Sequence, residues 1–203
     1  MAESHVLDQE GPPVPEPSFN LVVIVGSTRE GRIGHHLARW FVSQVEPRDD
    51  MVTDLIDLAD VEFPSVYPQS LGEVEKAFIA RIAAADAYVV VTPEYNHGYP
   101  ASLKQAIDFP YLEWSGKPVA FVSYGGMSGG LRAVEQLRQV FAEVNAATVR
   151  DSVSFHNVEE LLDPSGELRD LAGCNAAAKA MLDQIVWWTL ALRAGRAVRP
   201  FPA

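Results

Sequence analysis

Phe19-Asn20-Leu21-Val22-Val23-Ile24-Val25-Gly26-Ser27-Thr28-Arg29-Glu30-Gly31-Arg32-Ile33-Gly34 is the stretch on which the reading of this chain turns. It opens with an almost unbroken apolar run rich in β-branched residues. Such a run suits a strand buried on both faces of a parallel sheet. A polar loop follows, and then Ile33, Leu37, Phe41 and Val45 recur at four-residue spacing, which predicts a helix starting near Ile33. The loop therefore sits at a helix N-terminus, where free backbone N–H groups and partial positive charge attract phosphate. Ser27 and Thr28 add hydroxyl donors, and Arg29 and Arg32 add charge-assisted bonds. Thr28 stands where a dinucleotide fingerprint needs its second glycine, and no Gly-Lys-Ser/Thr follows. A monophosphate dianion fits the loop better than a pyrophosphate. The plainer alternative is a polar turn with two solvated arginines.

Outward from this stretch, strand and helix patterns alternate. Met51 to Leu58 reads as a second strand and Phe63 to Ser70 as a loop. Leu71, Val74, Phe78, Ile82 and Ala85 form the expected buried stripe of a second helix. Asp86 to Thr92 reads as a central strand that stops at Pro93, and Pro100 opens a helix to about Phe109. Pro118 to Ser123 is the fourth strand. Leu131, Val134, Leu137, Phe141 and Val144 mark the next helix, Ala147 to Phe155 the fifth strand, and Glu167 to Arg193 a long final helix. Five βα repeats predict an α/β, flavodoxin-like three-layer sandwich with a parallel sheet of order 2-1-3-4-5. In such sheets ligands bind beyond the carboxyl ends of the strands, at the point where strand order reverses. Residues 1–18, with Pro12, Pro13, Pro15 and Pro17, read as a flexible acidic arm. Residues 19–194 are the expected domain and 195–203 a tail.

Bulk properties narrow the function classes. A chain of 203 residues favours one domain, and its 48% apolar content is ordinary for a globular protein. The formal net charge of −11 argues against wrapping nucleic acid, which needs clustered Lys and Arg. No apolar run approaches the ~20 residues of a membrane span, and Met1 to Asn20 lacks the pattern of a secretory signal. Cys174 is the single cysteine, so an intrachain disulfide is excluded and a cytoplasmic location is the expectation.

Two further loops follow strands at the predicted ligand-binding edge. The first is Thr92-Pro93-Glu94-Tyr95-Asn96-His97-Gly98-Tyr99-Pro100, where Tyr95 and Tyr99 offer flat faces to a planar ring and Asn96 offers edge hydrogen bonds. The second is Ser123-Tyr124-Gly125-Gly126-Met127-Ser128-Gly129-Gly130, whose backbone amides can converge on negative charge. The plainer alternatives are aromatics covering a neighbouring helix and ordinary turn chemistry. His97 has no His or Cys beside it in sequence, so no metal site is expected.

With these motifs in place, the chain resembles the NADPH-dependent FMN reductase family, which includes quinone, azo-dye and chromate reductases. The resemblance covers about Leu21 to Val149. It rests on Gly26-Ser-x-Arg29, on Pro93-Glu-Tyr-Asn96 with Leu103-Lys-x-Ala-Ile-Asp108, and on Gly129-Gly-x-Arg132 with Gln136-Leu-Arg138. It implies bound FMN, a homodimer or dimer of dimers, and no amino-acid catalyst. It places the phosphate at Ser27, Thr28, Arg29, Arg32, Ile33 and Gly34, the isoalloxazine along Pro93, Glu94, Tyr95 and Asn96, and its pyrimidine side near Tyr124, Gly125 and Gly126. The expected activity is ping-pong passage of a hydride from NADPH or NADH through FMN to a small-molecule acceptor such as free flavin, a quinone or an azo compound. The alternatives are a flavodoxin-type electron carrier, whose phosphate loops lack the arginine, and a flavin-bound interaction module. A nicotinamide-binding Rossmann domain lacks its glycine fingerprint here.

Overall fold

In the first strand, β1 (Phe19–Val25), alternate side chains point to opposite faces and both faces are buried. Leu21, Val23 and Val25 join one apolar cluster, and Val22 and Ile24 join another. The same alternation runs through β3 (Ala87–Pro93) and β4 (Pro118–Tyr124). A sheet with two apolar faces must be covered on both, and it is. The computed structural model describes residues 18–163, 168–169 and 171–202, so the expected arm lies outside the described residues but for Ser18.

The remaining elements are α1 (Gly34–Val45), β2 (Met51–Asp57), α2 (Glu73–Ala84), α3 (Ala101–Asp108), α4 (Leu131–Glu143), β5 (Ala147–Phe155) and α5 (Ala172–Val198). The strands form one sheet of order β2-β1-β3-β4-β5, and all pairs are parallel. Helices α1 and α5 cover one face, and α2, α3 and α4 cover the other. This is the flavodoxin-like sandwich that the five βα repeats predict. Trp40 on α1 donates to Asn175 on α5 and meets Phe155 edge-on, which fastens the two helices of the first face to β5.

Three details depart from the sequence reading. In α2 the buried line runs through Glu75, Phe78 and Ile82, whereas Val74 is exposed. Glu75 sits three residues after the Gly72 cap, with its carboxylate packed against Gly72. In α4 Leu131, the first residue of the helix, is exposed, and Ala133 joins Val134, Leu137 and Phe141 in the core. The last helix starts at Ala172 and runs through Gly195 to Val198, later at both ends than expected.

Between Val119 and Phe121 the β4–β5 register shifts, so that Thr148 and Ser152 are the facing residues. The bulge frees carbonyls, which need donors. Arg138 of α4 supplies them, bonding Val149 O and Arg150 O with its guanidinium over the Phe121 ring. A motif residue of the family resemblance thus has a structural task.

At the opposite end of the sheet from the loops, Lys117 is 9% exposed and donates to Ile82 O, Ala83 O and Tyr88 Oη. Burial, with Arg196 nearby, lowers its pKa from the ordinary 10.5 to about 8. Between those values the unfolded chain binds the proton that the folded chain has lost, so stability rises with pH through that window. From about pH 7 to about pH 9.5 the wild type should gain about 2 kcal/mol relative to Lys117→Met, measured by urea unfolding. A pH-independent difference would show that Lys117 titrates normally.

Candidate active site

Each loop leaves the sheet at the carboxyl end of a strand and is pinned before it diverges. Gly26 N–H donates to Val91 O at 2.9 Å, and Ser102 Oγ donates to Gly26 O at 2.9 Å, so the first loop starts hard against β3 and α3. It then turns outward, with Thr28, Arg29 and Glu30 exposed, and returns at α1. The N-cap residue Ile33 makes no side-chain cap bond, and the Gly34 amide at the start of α1 is turned to the Tyr124 hydroxyl. Gly34 is required there by close approach: a Cβ would lie 2.5 Å from Ser27 Oγ and 2.7 Å from Tyr124 Oη.

The two arginines of this loop differ. Arg32 pairs with Asp57 at the end of β2, at 2.8 Å and partly buried. Arg29 lies 5.1 Å over the Tyr95 ring, and among the described residues it has no carboxylate partner. Its charge is therefore available to an anion.

The second loop is a tight turn. Tyr95 and Gly98 exchange both backbone hydrogen bonds, and Asn96 and His97 take left-handed φ values of 50° and 69°. The Glu94 carboxylate, 4% exposed, turns away to Arg132, which bonds it through backbone N–H and guanidinium. Arg132 also meets His97 Nε2 at 2.8 Å, and Gln136 donates to His97 O at 2.7 Å. The second and third family motifs are thus locked together. Burial would raise the Glu94 pKa, but hydrogen bonds from Arg132 and Ser128 and the Arg132 charge outweigh it and hold the carboxyl below its ordinary value.

The third loop is fastened by carbonyls. Ser123 Oγ and Ser154 Oγ both donate to Gly129 O at 2.8 Å, and Gly125 and Gly126 accept from Val158 and Asn157. Gly130, at φ +85°, passes so close to Ser123 and Tyr124 that no side chain fits. Gly125 N–H donates to Phe155 O, so of the two amides expected to face a ligand only that of the exposed Gly126 lacks this strand partner.

The three loops enclose one cavity of about 440 Å³. Of the expected residues, Arg29, Arg32, Ile33, Pro93, Glu94, Tyr95, Tyr124, Gly125 and Gly126 line it. Ser27 is fully buried behind it, and Gly34 lies beneath. Thr28 faces a recess on the outer side of the loop, beside His35 and Asp57, and Asn96 faces a smaller one beside Arg132. The sequence reading missed Asn157, Val158, Glu159 and Glu160, which follow β5 and close the far wall. The rule that ligands sit at strand carboxyl ends applies to β5 as well, and would have found them. Among the described residues no group of three or more His, Cys, Asp or Glu is arranged to hold a metal, and no helix is long and apolar enough to cross a membrane.

Residues 19–160 match the sequence pattern of the family described as NADPH-dependent FMN reductase. The chain belongs to this family. The NAD(P)H-dependent FMN reductase of Schizosaccharomyces pombe is 35% identical over 164 residues, which is 72% of this chain and 80% of the relative. A quinone reductase of Pseudomonas putida is 31% identical over 186 residues, 87% of this chain and 97% of the relative. Among solved structures, FerB of Paracoccus denitrificans, a flavoenzyme NAD(P)H:(acceptor) oxidoreductase, superposes with a TM-score of 0.69 at 25% identity, over 84% of this chain and 97% of that one. The resemblance stated from the three motifs is borne out, and the chain is an oxidoreductase by family.

The residues present fit the family's flavin. The cavity is in the size range of small-molecule sites. Its lining brings together the Arg29 guanidinium and the Tyr95 ring it lies over, the start of α1, and the exposed Gly126. The Glu94–Arg132 contact holds the second and third loops in register. Arg132→Ala should destabilise the fold by about 1–3 kcal/mol at neutral pH, because it strands a buried carboxylate. Because the folded Glu94 pKa is lowered, this gap should close as pH falls through it. Urea unfolding at neutral and acid pH checks both parts.

Proposed function

We propose that the chain is an FMN-dependent NAD(P)H reductase of small-molecule acceptors, with FMN held in the cavity between the three loops. The observation that carries this is the free Arg29 guanidinium, stacked on Tyr95 at the mouth of that cavity and beside the uncapped start of α1. A cation for a monophosphate and an aromatic face for a flat ring are the two chemistries FMN needs. Its relatives named as FMN and quinone reductases support the same reading.

FMN held there would supply the redox chemistry of a ping-pong transfer of a hydride equivalent from NAD(P)H to the acceptor. The chain's own work is binding and orientation. Arg29 and the amides at the start of α1 anchor the phosphate, with Arg32 fixing the loop to Asp57. Pro93, Glu94 and Tyr95 would align the ring, with Asn96 holding the turn behind them, and the Gly126 amide would favour negative charge on it. Residues 19–194 act as the FMN-binding domain, and the location is cytoplasmic. Arg29→Ala should weaken FMN retention by roughly 10- to 100-fold, the worth of a charge-assisted bond. The purified chain should bind FMN and oxidise NADPH or NADH in the presence of a quinone. A flavin that stays oxidised under excess of both nicotinamides would reject the reductase and leave an electron carrier.

We further propose a homodimer or a dimer of dimers. Trp187, 64% exposed, and Trp188 meet edge-on on the outer face of α5, an apolar surface suited to a second copy. Sedimentation at micromolar concentration should show a species heavier than the 22.2 kDa chain, and a monomer there rejects the assembly.

A further inference from the structure

Tyr124 is the last residue of β4, in register with Pro93 of β3, yet its hydroxyl reaches past β3 to the start of α1. There it donates to Ser27 Oγ at 3.0 Å. Both residues are buried, Tyr124 at 5% exposure and Ser27 at 0%, but Tyr124 lines the cavity. The Gly34 backbone, the Ser27 hydroxyl and the Tyr124 hydroxyl meet at one point, which is why a Cβ at Gly34 has no room. Burial above all pushes the Tyr124 pKa well above its ordinary value, against the pull of Ser27, Arg32 and the Gly34 amide, so the hydroxyl keeps its proton.

We propose that Tyr124 is a phosphate-recognition residue that selects FMN over unphosphorylated riboflavin, with Ser27 as the inner partner that holds its proton until the anion arrives. This rests on the FMN reading above. The proton count supports it. Without an anion, Tyr124 gives its one proton to Ser27 while the Gly34 amide is directed at its oxygen. Among the described residues no group accepts the Ser27 proton. When a phosphate oxygen enters beside Tyr124, the tyrosine proton turns to it and the Ser27 proton turns to the tyrosine oxygen. Both hydroxyl protons then have an acceptor, which the Ser27 proton lacked before. Riboflavin lacks the phosphate and draws no such exchange, so the hydroxyl favours only the phosphorylated ligand.

The test measures dissociation constants of FMN and riboflavin for the full chain freed of flavin, by fluorescence quenching. In Tyr124→Phe the FMN affinity should fall about tenfold or more, with riboflavin affinity within about twofold of wild type. A variant that keeps the wild-type preference for FMN, whether both affinities fall together or neither does, overturns the role. Ser27→Ala gives an independent reading. It leaves Tyr124 in place without its inner acceptor, so the preference for FMN should match or exceed that of wild type. Loss of the preference in Ser27→Ala places the phosphate contact on Ser27 and overturns the proposal. A wild type with no preference for FMN over riboflavin refutes the phosphate site itself, an outcome separate from failure of Tyr124 alone.

Discussion

The structure depends on β1 being buried on both faces and paired on both edges. It is bonded to β2 on one side and to β3 on the other, with Val25 opposite both Asp57 and Val91. The next link, Gly26 N–H to Val91 O, continues the ladder one residue past the strand. The first and second loops must therefore emerge side by side and diverge, since α1 covers one face and α3 the other. A crevice at this point is a consequence of strand order. It needs no special residues to exist, only special residues to bind something.

What the special residues do is less local than their motifs suggest. Glu94 and Arg132 lie far apart in sequence and join the second and third loops, while Gln136 supports the His97 carbonyl from the same helix. The positive φ of Asn96 gives that asparagine a backbone reason to be there, because Asn tolerates the left-handed region better than most residues. Arg138 serves the β5 bulge. Much of the family pattern thus builds a rigid frame, and the cavity lining keeps few polar groups outside it, among them Arg29, Tyr95 and the Gly126 amide.

Strand positions and sheet order were legible in the sequence because a doubly buried parallel strand has few other readings. Phe19–Val25 falls where its apolar run puts it, and Ala147–Phe155, at the sheet edge and only partly buried, falls where the βα alternation calls for a fifth strand. Helix faces were less legible at their first turns, where Val74 and Leu131 fit the periodicity but are exposed while Glu75 and Ala133 are buried. The cavity's location was readable from the loops after β1, β3 and β4. Side-chain direction was not. The glycines after Tyr124 suggested that it lay beside them at the ring, whereas its hydroxyl reaches the start of α1, a contact set by the strand register. Ser27 was expected at the ligand and lies behind it for the same reason.

The division between the two arginines also bears on how a strongly acidic chain holds a dianion. With a net charge of −11, the protein's summed field opposes phosphate at long range. At physiological salt that field is screened beyond about 8 Å, so the groups around the cavity decide the outcome. Glu30, Glu159 and Glu160 line the same cavity and would repel the anion. Arg32 is neutralised by Asp57 and contributes loop geometry more than net charge. On the proposed reading the balance then rests on Arg29, on the start of α1, and on hydroxyls that carry no charge of their own. Neutral donors of this kind bind a phosphate without adding a cation that would attract the acidic groups nearby.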